Sequence, residues 1–271
     1  MEDNDLYVDS KESVVRLWAE SDAKGLLTFL GNLLAGTTHT AAPKPRKAKI
    51  VESVHFGLNR VDPQGYGGWS GVLRGCENDA IAMRDRFSGL SQVTQLSKAC
   101  QWPMMASLIE AAVRNTPGGQ TCLITYSGHG GQLPSPASFE EGDGTNETWC
   151  AFGEQVIDDI VYRTIVGAQQ PGARVVVISD SCHSGGMARG LLDNPHWTPK
   201  ALPFEWVAPA AYAQRAFITA QQSALSNAGH PPAKGPIGWI SACQENQVAF
   251  DGPANGAFTV PLMATWDAGF D

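Results

Sequence analysis

From Lys49 onward, short apolar runs rich in Val and Ile alternate with stretches whose apolar residues recur at helical spacing. The runs at 50–58, 93–96, 121–126, 174–179 and 238–242 predict strands, and the stretches at 77–87, 103–115 and 158–167 predict helices. Several of the strand runs are continuously apolar and do not alternate, which is the mark of strands covered on both faces. The chain therefore predicts an α/β fold, a mostly parallel sheet flanked by helices on both faces. In such sheets the working groups gather beyond the carboxyl ends of the strands.

Residues 1–42 predict a separate N-terminal helical segment. Asp9 and Glu12 have the spacing of a capping box, and Val14, Leu17 and Trp18, then Leu26, Leu27, Leu30, Leu33 and Leu34, recur at helical intervals, with a break near Asp22 and Gly25. Residues 43–49, rich in Pro and basic side chains, predict an exposed linker. Residues 50–271 then form one domain. At 271 residues and 43% apolar side chains the chain can fill a substantial core.

Charge narrows the function. Acidic residues outnumber basic ones 27 to 19, for a net charge of −8, and no stretch concentrates Lys and Arg enough to mark a nucleic-acid surface, so no nucleic-acid partner is expected. The acidic start, MEDNDLYVDS, lacks the basic region of a secretory signal, and the apolar stretch from Leu26 to Leu34 is interrupted by Gly31 and Asn32 and too short to span a bilayer. A cytoplasmic protein with no membrane contact is expected. Six cysteines without pairing rhythm and without a C-x-x-C pair predict free thiols and no metal centre.

Two of the predicted strands end in unusual loops. TCLITYSGHGGQ places His129 three residues past Tyr126, and RVVVISDSCHSGG places Cys182 three residues past Ser179, so both side chains emerge on one rim of the sheet. A thiol attacks an amide as thiolate, and a neighbouring imidazole both supports that anion and supplies a proton to the departing amine. Gly128, Gly130, Gly131, Gly185 and Gly186 flank the pair, allowing a peptide to approach and leaving the N–H groups of Gly130 and Cys182 to hold an oxyanion. A lone Cys182 would ordinarily be a buried structural thiol. The paired loops favour a catalytic His129 and Cys182 instead, with His183 structural.

SGHGG, followed 53 positions on from His129 by the Cys182 of DSCHSGG, resembles the His and Cys motifs of metacaspases and their bacterial relatives. GLNRVDPQGYGGWSGVLRGCENDA, DGTNETWC, IDD and ISACQENQVAFDGPANGAFT resemble successive further blocks of that family, in order. The resemblance implies a caspase-hemoglobinase fold, a cysteine endopeptidase that generally acts as a monomer, and a substrate pocket lined by Cys76, Asp79, Ser127 and Asp180. Two carboxylates in one pocket repel each other unless a cation joins them, so the substrates implied are peptides or proteins with Arg or Lys before the scissile bond. The alternatives are a non-catalytic caspase-like scaffold and a peptidase of Asp specificity using Arg74 or Arg189. The resemblance also raises activation by Ca²⁺ through Asp143, Asp158 and Asp159, but Arg189 stands where a further acidic ligand is needed, so no cofactor is expected to be required. Asp158 and Asp159 open a predicted helix, where carboxylates are favourable without a metal. Specificity for basic residues makes the linker around Lys44, Arg46, Lys47 and Lys49, or the stretch 189–200, a candidate self-substrate.

Overall fold

The computed structural model describes residues 7–9, 14–18, 49–87, 91–134, 145–182, 197–228, 231–243 and 248–268, with backbone alone for 7–9, 14–18, 228 and 265–268. At its centre is a seven-stranded sheet of β1 (Tyr7–Asp9), β2 (Val14–Trp18), β3 (Ile50–Gly57), β4 (Ser91–Leu96), β5 (Thr121–Ser127), β9 (Arg174–Asp180) and β11 (Ile237–Ser241). Their order is β1-β2-β11-β9-β5-β3-β4, and every neighbouring pair is parallel except β1 with β2.

Alternation within the central strands sorts their side chains to two faces. Val54, Phe56, Ile124, Tyr126, Val175 and Val177 meet helices α2 (Trp102–Arg114) and α3 (Asp158–Ala168) through Met105, Ile109, Val113, Val161 and Ile165. Leu123, Val176 and Ile178 point the other way, against Met83 and Phe87 at the end of α1 (Cys76–Arg86) and Leu262 of α6 (Thr259–Ala268). Both faces are dry, so truncating a residue such as the fully buried Ile109 to Ala would cost about 2–5 kcal/mol.

The register decides where the chemistry lies. Gly57 pairs with Ser127 and Ser127 with Asp180, so β3, β5 and β9 end level, and Ser241 of β11 pairs with Ser179. Above this rim sit two smaller sheets: β6 (Gly130–Pro134), β7 (Thr145–Cys150) and β8 (Gln155–Ile157), and the pair β10 (Thr198–Pro199) and β12 (Phe250–Asp251), all antiparallel. Helices α4 (Phe204–Ala213) and α5 (Arg215–Ala228) and a short 3-10 turn at Ser97–Ala99 complete the described elements.

One expectation is overturned. Within the helical segment expected at 1–42, the described residues Tyr7–Asp9 and Val14–Trp18 are strand, and β2 runs parallel to β11 from Val14 opposite Ile237 to Trp18 opposite Ser241, while the rest of that segment lies outside the described residues. The free backbone edge of β11 supplies partners that a spacing of 14, 17 and 18 could not foretell. Leu26 to Leu34 and residues 43–48 of the expected linker lie outside the described residues.

Candidate functional site

The end of β5 passes through Gly128 to His129 before β6 begins. The Tyr126 hydroxyl donates to the carbonyls of His129, at 2.7 Å, and Cys150, at 3.0 Å, which anchors this corner. The His129 ring packs on Trp69, with centroids 4.6 Å apart, and its Nε2 lies 3.1 Å from the carbonyl oxygen of Gly71. An acceptor at that position places the proton on Nε2 and leaves Nδ1 as the free lone pair. Nδ1 is buried and has no hydrogen-bond partner among the described residues. Gly71 has φ +51°, and a Cβ there would stand 2.9 Å from the Trp69 ring and 3.1 Å from Cδ2 of His129, so the carbonyl that orients the imidazole comes from a residue that must be glycine. Burial pushes the His129 pKa down to about 4; the hydrogen bond to the Gly71 carbonyl pulls upward and the Lys200 charge pushes it further down. The ring is therefore neutral at pH 7.

Cys182 lies two residues past the end of β9, buried in a cluster with Ala201, Cys243 and Ala249. A hydrogen bond between the Cys182 and Cys243 thiols, with burial, raises the Cys243 pKa, and Cys243 Sγ also lies 3.4 Å from the Ser181 carbonyl oxygen. None of the six cysteines forms a disulfide, and all six are buried.

Lys200 joins every part of the site. Its carbonyl oxygen accepts from the backbone N–H of Gly130 at 2.9 Å and of Cys182 at 3.1 Å, the two donors expected to hold an oxyanion. Its own N–H donates to the Ala249 carbonyl at 2.8 Å, and Leu202 N–H donates to the Gly130 carbonyl at 2.7 Å. Its side chain enters the acidic pocket, where the three ammonium hydrogens meet Asp180 Oδ2 at 2.9 Å, Asp79 Oδ2 at 3.0 Å and Ser127 Oγ at 2.9 Å. Lys200 has no exposed surface. Burial alone would strip its charge, but Asp180, Cys76 and Asp79 outweigh that and hold its pKa above that of a free lysine.

The pocket walls are themselves tied down. Ser127 donates to Asp79 Oδ2 at 2.8 Å, Gly256 N–H and Asn255 Nδ2 donate to Asp79 Oδ1 at 2.9 Å each, and the Thr259 hydroxyl donates to Asp180 Oδ2 at 2.8 Å. Cys76, at the start of α1, lines the same cavity with Sγ 3.6 Å from Asp251 Oδ1. Asp251 accepts the N–H groups of Arg74, at 2.6 Å, and Gly75, at 3.0 Å. Cys76, Asp79 and Asp251 lie close enough to share a cation, yet these donors and Lys200 already occupy their oxygens, so the cluster is a hydrogen-bonded wall.

Thus His129, Gly130, Cys182, Cys76, Asp79, Ser127 and Asp180 all converge on one buried residue. Among the acidic residues considered for calcium, Asp158 opens α3 and accepts the N–H of Asp159 at 3.0 Å, while Asp143 and Arg189, like His183, lie outside the described residues. Sequence reasoning missed the seating of Lys200, the orienting carbonyl of Gly71, and the pocket wall formed by Gly256 and Thr259. The glycine of the block ANGAFT was the available signal for the wall; nothing local marked Gly71, and Lys200 stood out only as the end of the stretch 189–200 considered as a self-substrate.

A parallel sheet that delivers a histidine past one strand and a cysteine past its neighbour, beside an acidic pocket, defines a caspase-like domain. The chain belongs to the caspase-domain family of peptidases, whose model matches residues 46–269. It is 31% identical over 151 residues to Metacaspase-4 of Arabidopsis thaliana, covering 50% of this chain and 34% of that protein. To Metacaspase-1B of Aspergillus oryzae it is 28% identical over 220 residues, covering 69% and 48%. The chain thus spans about a third to a half of the length of these curated relatives. Protein GSU0716 of Geobacter sulfurreducens, a solved structure, superposes with a TM-score of 0.69 at 37% identity, covering 82% of this chain and 83% of that one. No helix among the described residues is long and apolar enough to cross a membrane.

Proposed function

We propose that this chain is a cysteine endopeptidase that hydrolyses peptide bonds after Lys or Arg, and that its own Lys200–Ala201 bond is its first substrate. The observation that carries the reading is the position of Lys200, ammonium between Asp79 and Asp180 and carbonyl oxygen on the N–H groups of Gly130 and Cys182. In this scheme His129 Nδ1 takes the Cys182 proton, the thiolate attacks the carbonyl carbon, and the two N–H groups hold the oxyanion. The imidazolium then gives its proton to the departing amine, and water, deprotonated by the same imidazole, hydrolyses the thioester. Every named group comes from one chain, so a monomer suffices, and no cofactor enters the scheme.

The acidic lining disfavours Asp specificity, because a third carboxylate would enter among two. A binding scaffold needs no oxyanion donors beside its cysteine. The test compares wild type with Cys182→Ala after incubation, by intact mass and N-terminal sequencing, alongside Lys, Arg and Asp reporter peptides. Wild type yields a new terminus beginning at Ala201 and cuts the basic reporters; Cys182→Ala stays intact. An uncut wild-type chain that also leaves the reporters intact would establish the scaffold reading, and faster cleavage of the Asp reporter would refute the pocket assignment.

A further inference from the structure

Thr198 pairs with Asp251 and Pro199 with Phe250, so β10 is an added antiparallel strand on β12 that leads into Lys200, laid as a substrate would lie on its enzyme. Lys200 N–H donates to the carbonyl of Ala249, one step beyond the Pro199–Phe250 pair. That makes the Pro199 position a non-hydrogen-bonded one, where the missing N–H of proline costs no ladder bond. Continuing the register brings Trp197, three residues before Lys200, opposite Gly252.

Gly252 leaves room there for an aromatic ring. A Cβ at this position would stand 2.9 Å from Cζ3 and 3.2 Å from Cη2 of Trp197, so the six-membered ring rests over a backbone that any larger residue would hold off. Trp197 keeps 38% of its surface exposed and Gly252 is buried. The platform is also stiff and coupled to the lysine pocket: Gly252 N–H donates to the Asn255 carbonyl at 3.1 Å, and Asn255 and Gly256 in turn bind Asp79.

Resting on the peptidase reading, we infer that Gly252 forms a specificity subsite for an aromatic side chain three residues before the basic one, so that preferred substrates have the form aromatic-X-X-Lys, with proline accepted next to the lysine. A ring covered on one face by backbone and open to water on the other loses apolar exposure with little ordering cost, which favours Trp and Phe over Ala.

Two experiments decide this. Wild type, incubated until self-cleavage is complete, is assayed with reporters Xaa-Thr-Pro-Lys in which Xaa is Trp, Phe, Leu or Ala. Trp and Phe should exceed Ala at least about tenfold in kcat/KM, mostly through KM; Trp within twofold of Ala while the Ala reporter turns over would overturn the subsite. The second arm needs no peptidase activity: in the Cys182→Ala chain, trypsin nicks after Lys200 only when the segment undocks, so Trp197→Ala should raise the nicking rate about tenfold and Trp197→Phe should restore protection. Unchanged nicking in Trp197→Ala would overturn the platform even if no reporter were cut, a result that on its own would count against the peptidase reading only.

Discussion

Replacing Lys200 by Met retains the unbranched stem and removes the charge that binds Asp79 Oδ2 at 3.0 Å, Asp180 Oδ2 at 2.9 Å and Ser127 Oγ at 2.9 Å. Two buried carboxylates then face each other without a cation. Removing one partner of a buried pair costs about 3–5 kcal/mol, and since the segment can undock and let the carboxylates hydrate, the lower end applies, about 3 kcal/mol. In a Cys182→Ala background, which keeps the bond uncut, this corresponds to a fall in Tm of about 6–12 °C by scanning fluorimetry, at about 2–4 °C per kcal/mol for a domain of this size. With Cys182 present, the same loss slows self-cleavage at least about a hundredfold, read from the rate at which the fragment beginning at Ala201 accumulates on a gel. Lys200→Arg retains cleavage within about tenfold, because a guanidinium keeps the charge and Asp180 Oδ1, buried and without a partner among the described residues, can take one of its extra N–H groups. A Lys200→Met chain that melts within 2 °C of its parent (roughly 1 kcal/mol or less) and cleaves within about threefold of wild type (under about 1 kcal/mol) would show that the pocket does not recognise charge.

Asp180→Ala should lower kcat/KM for Lys and Arg reporters by at least about a hundredfold, the rate equivalent of about 3 kcal/mol; a loss under tenfold would remove Asp180 from the specificity pocket. Gly256→Ala puts a methyl group 2.5 Å from the position of Lys200 Nζ, so overpacking of about 1–3 kcal/mol should cut Lys-reporter turnover about ten- to a hundredfold; unchanged turnover would mean the wall yields. With the His129 pKa held near 4, self-cleavage should stay level from pH 7 to 5 and fall below about 4, where a protonated ring can no longer take the thiol proton; an acid limb near 6.5 would refute the buried neutral imidazole. The same sign governs stability. His129 and His55, both lowered to about 4 by burial, bind protons below pH 6.5 only when the chain is unfolded, so Cys182→Ala protein should lose up to about 1.4 kcal/mol per histidine per pH unit between 6.5 and 4, and a flat urea midpoint across that window would contradict it.

The sequence by itself determined the parallel strands and the rim on which the chemistry sits. The apolar runs around Ile124 and Val176 mark strands covered on both faces, the β-rich run around Val54 joins them, and strands of one parallel sheet bring the loops at their carboxyl ends, here those carrying His129 and Cys182, to one rim. Family resemblance, not periodicity, marked Cys76, Asp79, Ser127 and Asp180, because nothing local distinguishes a pocket carboxylate from a solvated one. What the tertiary structure alone decided are contacts between segments far apart in the chain. Val14, Leu17 and Trp18 have a spacing that a helix also satisfies, and only the open edge of β11, more than 200 residues away, settles them as strand. Lys200 ends a stretch that the sequence offers only as a candidate self-substrate, and it is the pairing of Thr198 and Pro199 with β12 that aims its side chain between Asp79 and Asp180. Gly71 and Gly256 look like ordinary turn glycines; their roles appear only when His129, 58 residues on, and Asp79, 177 residues back, close against them. Periodicity records which face of an element is dry, whereas the identity of the partner across that face is a property of the folded chain.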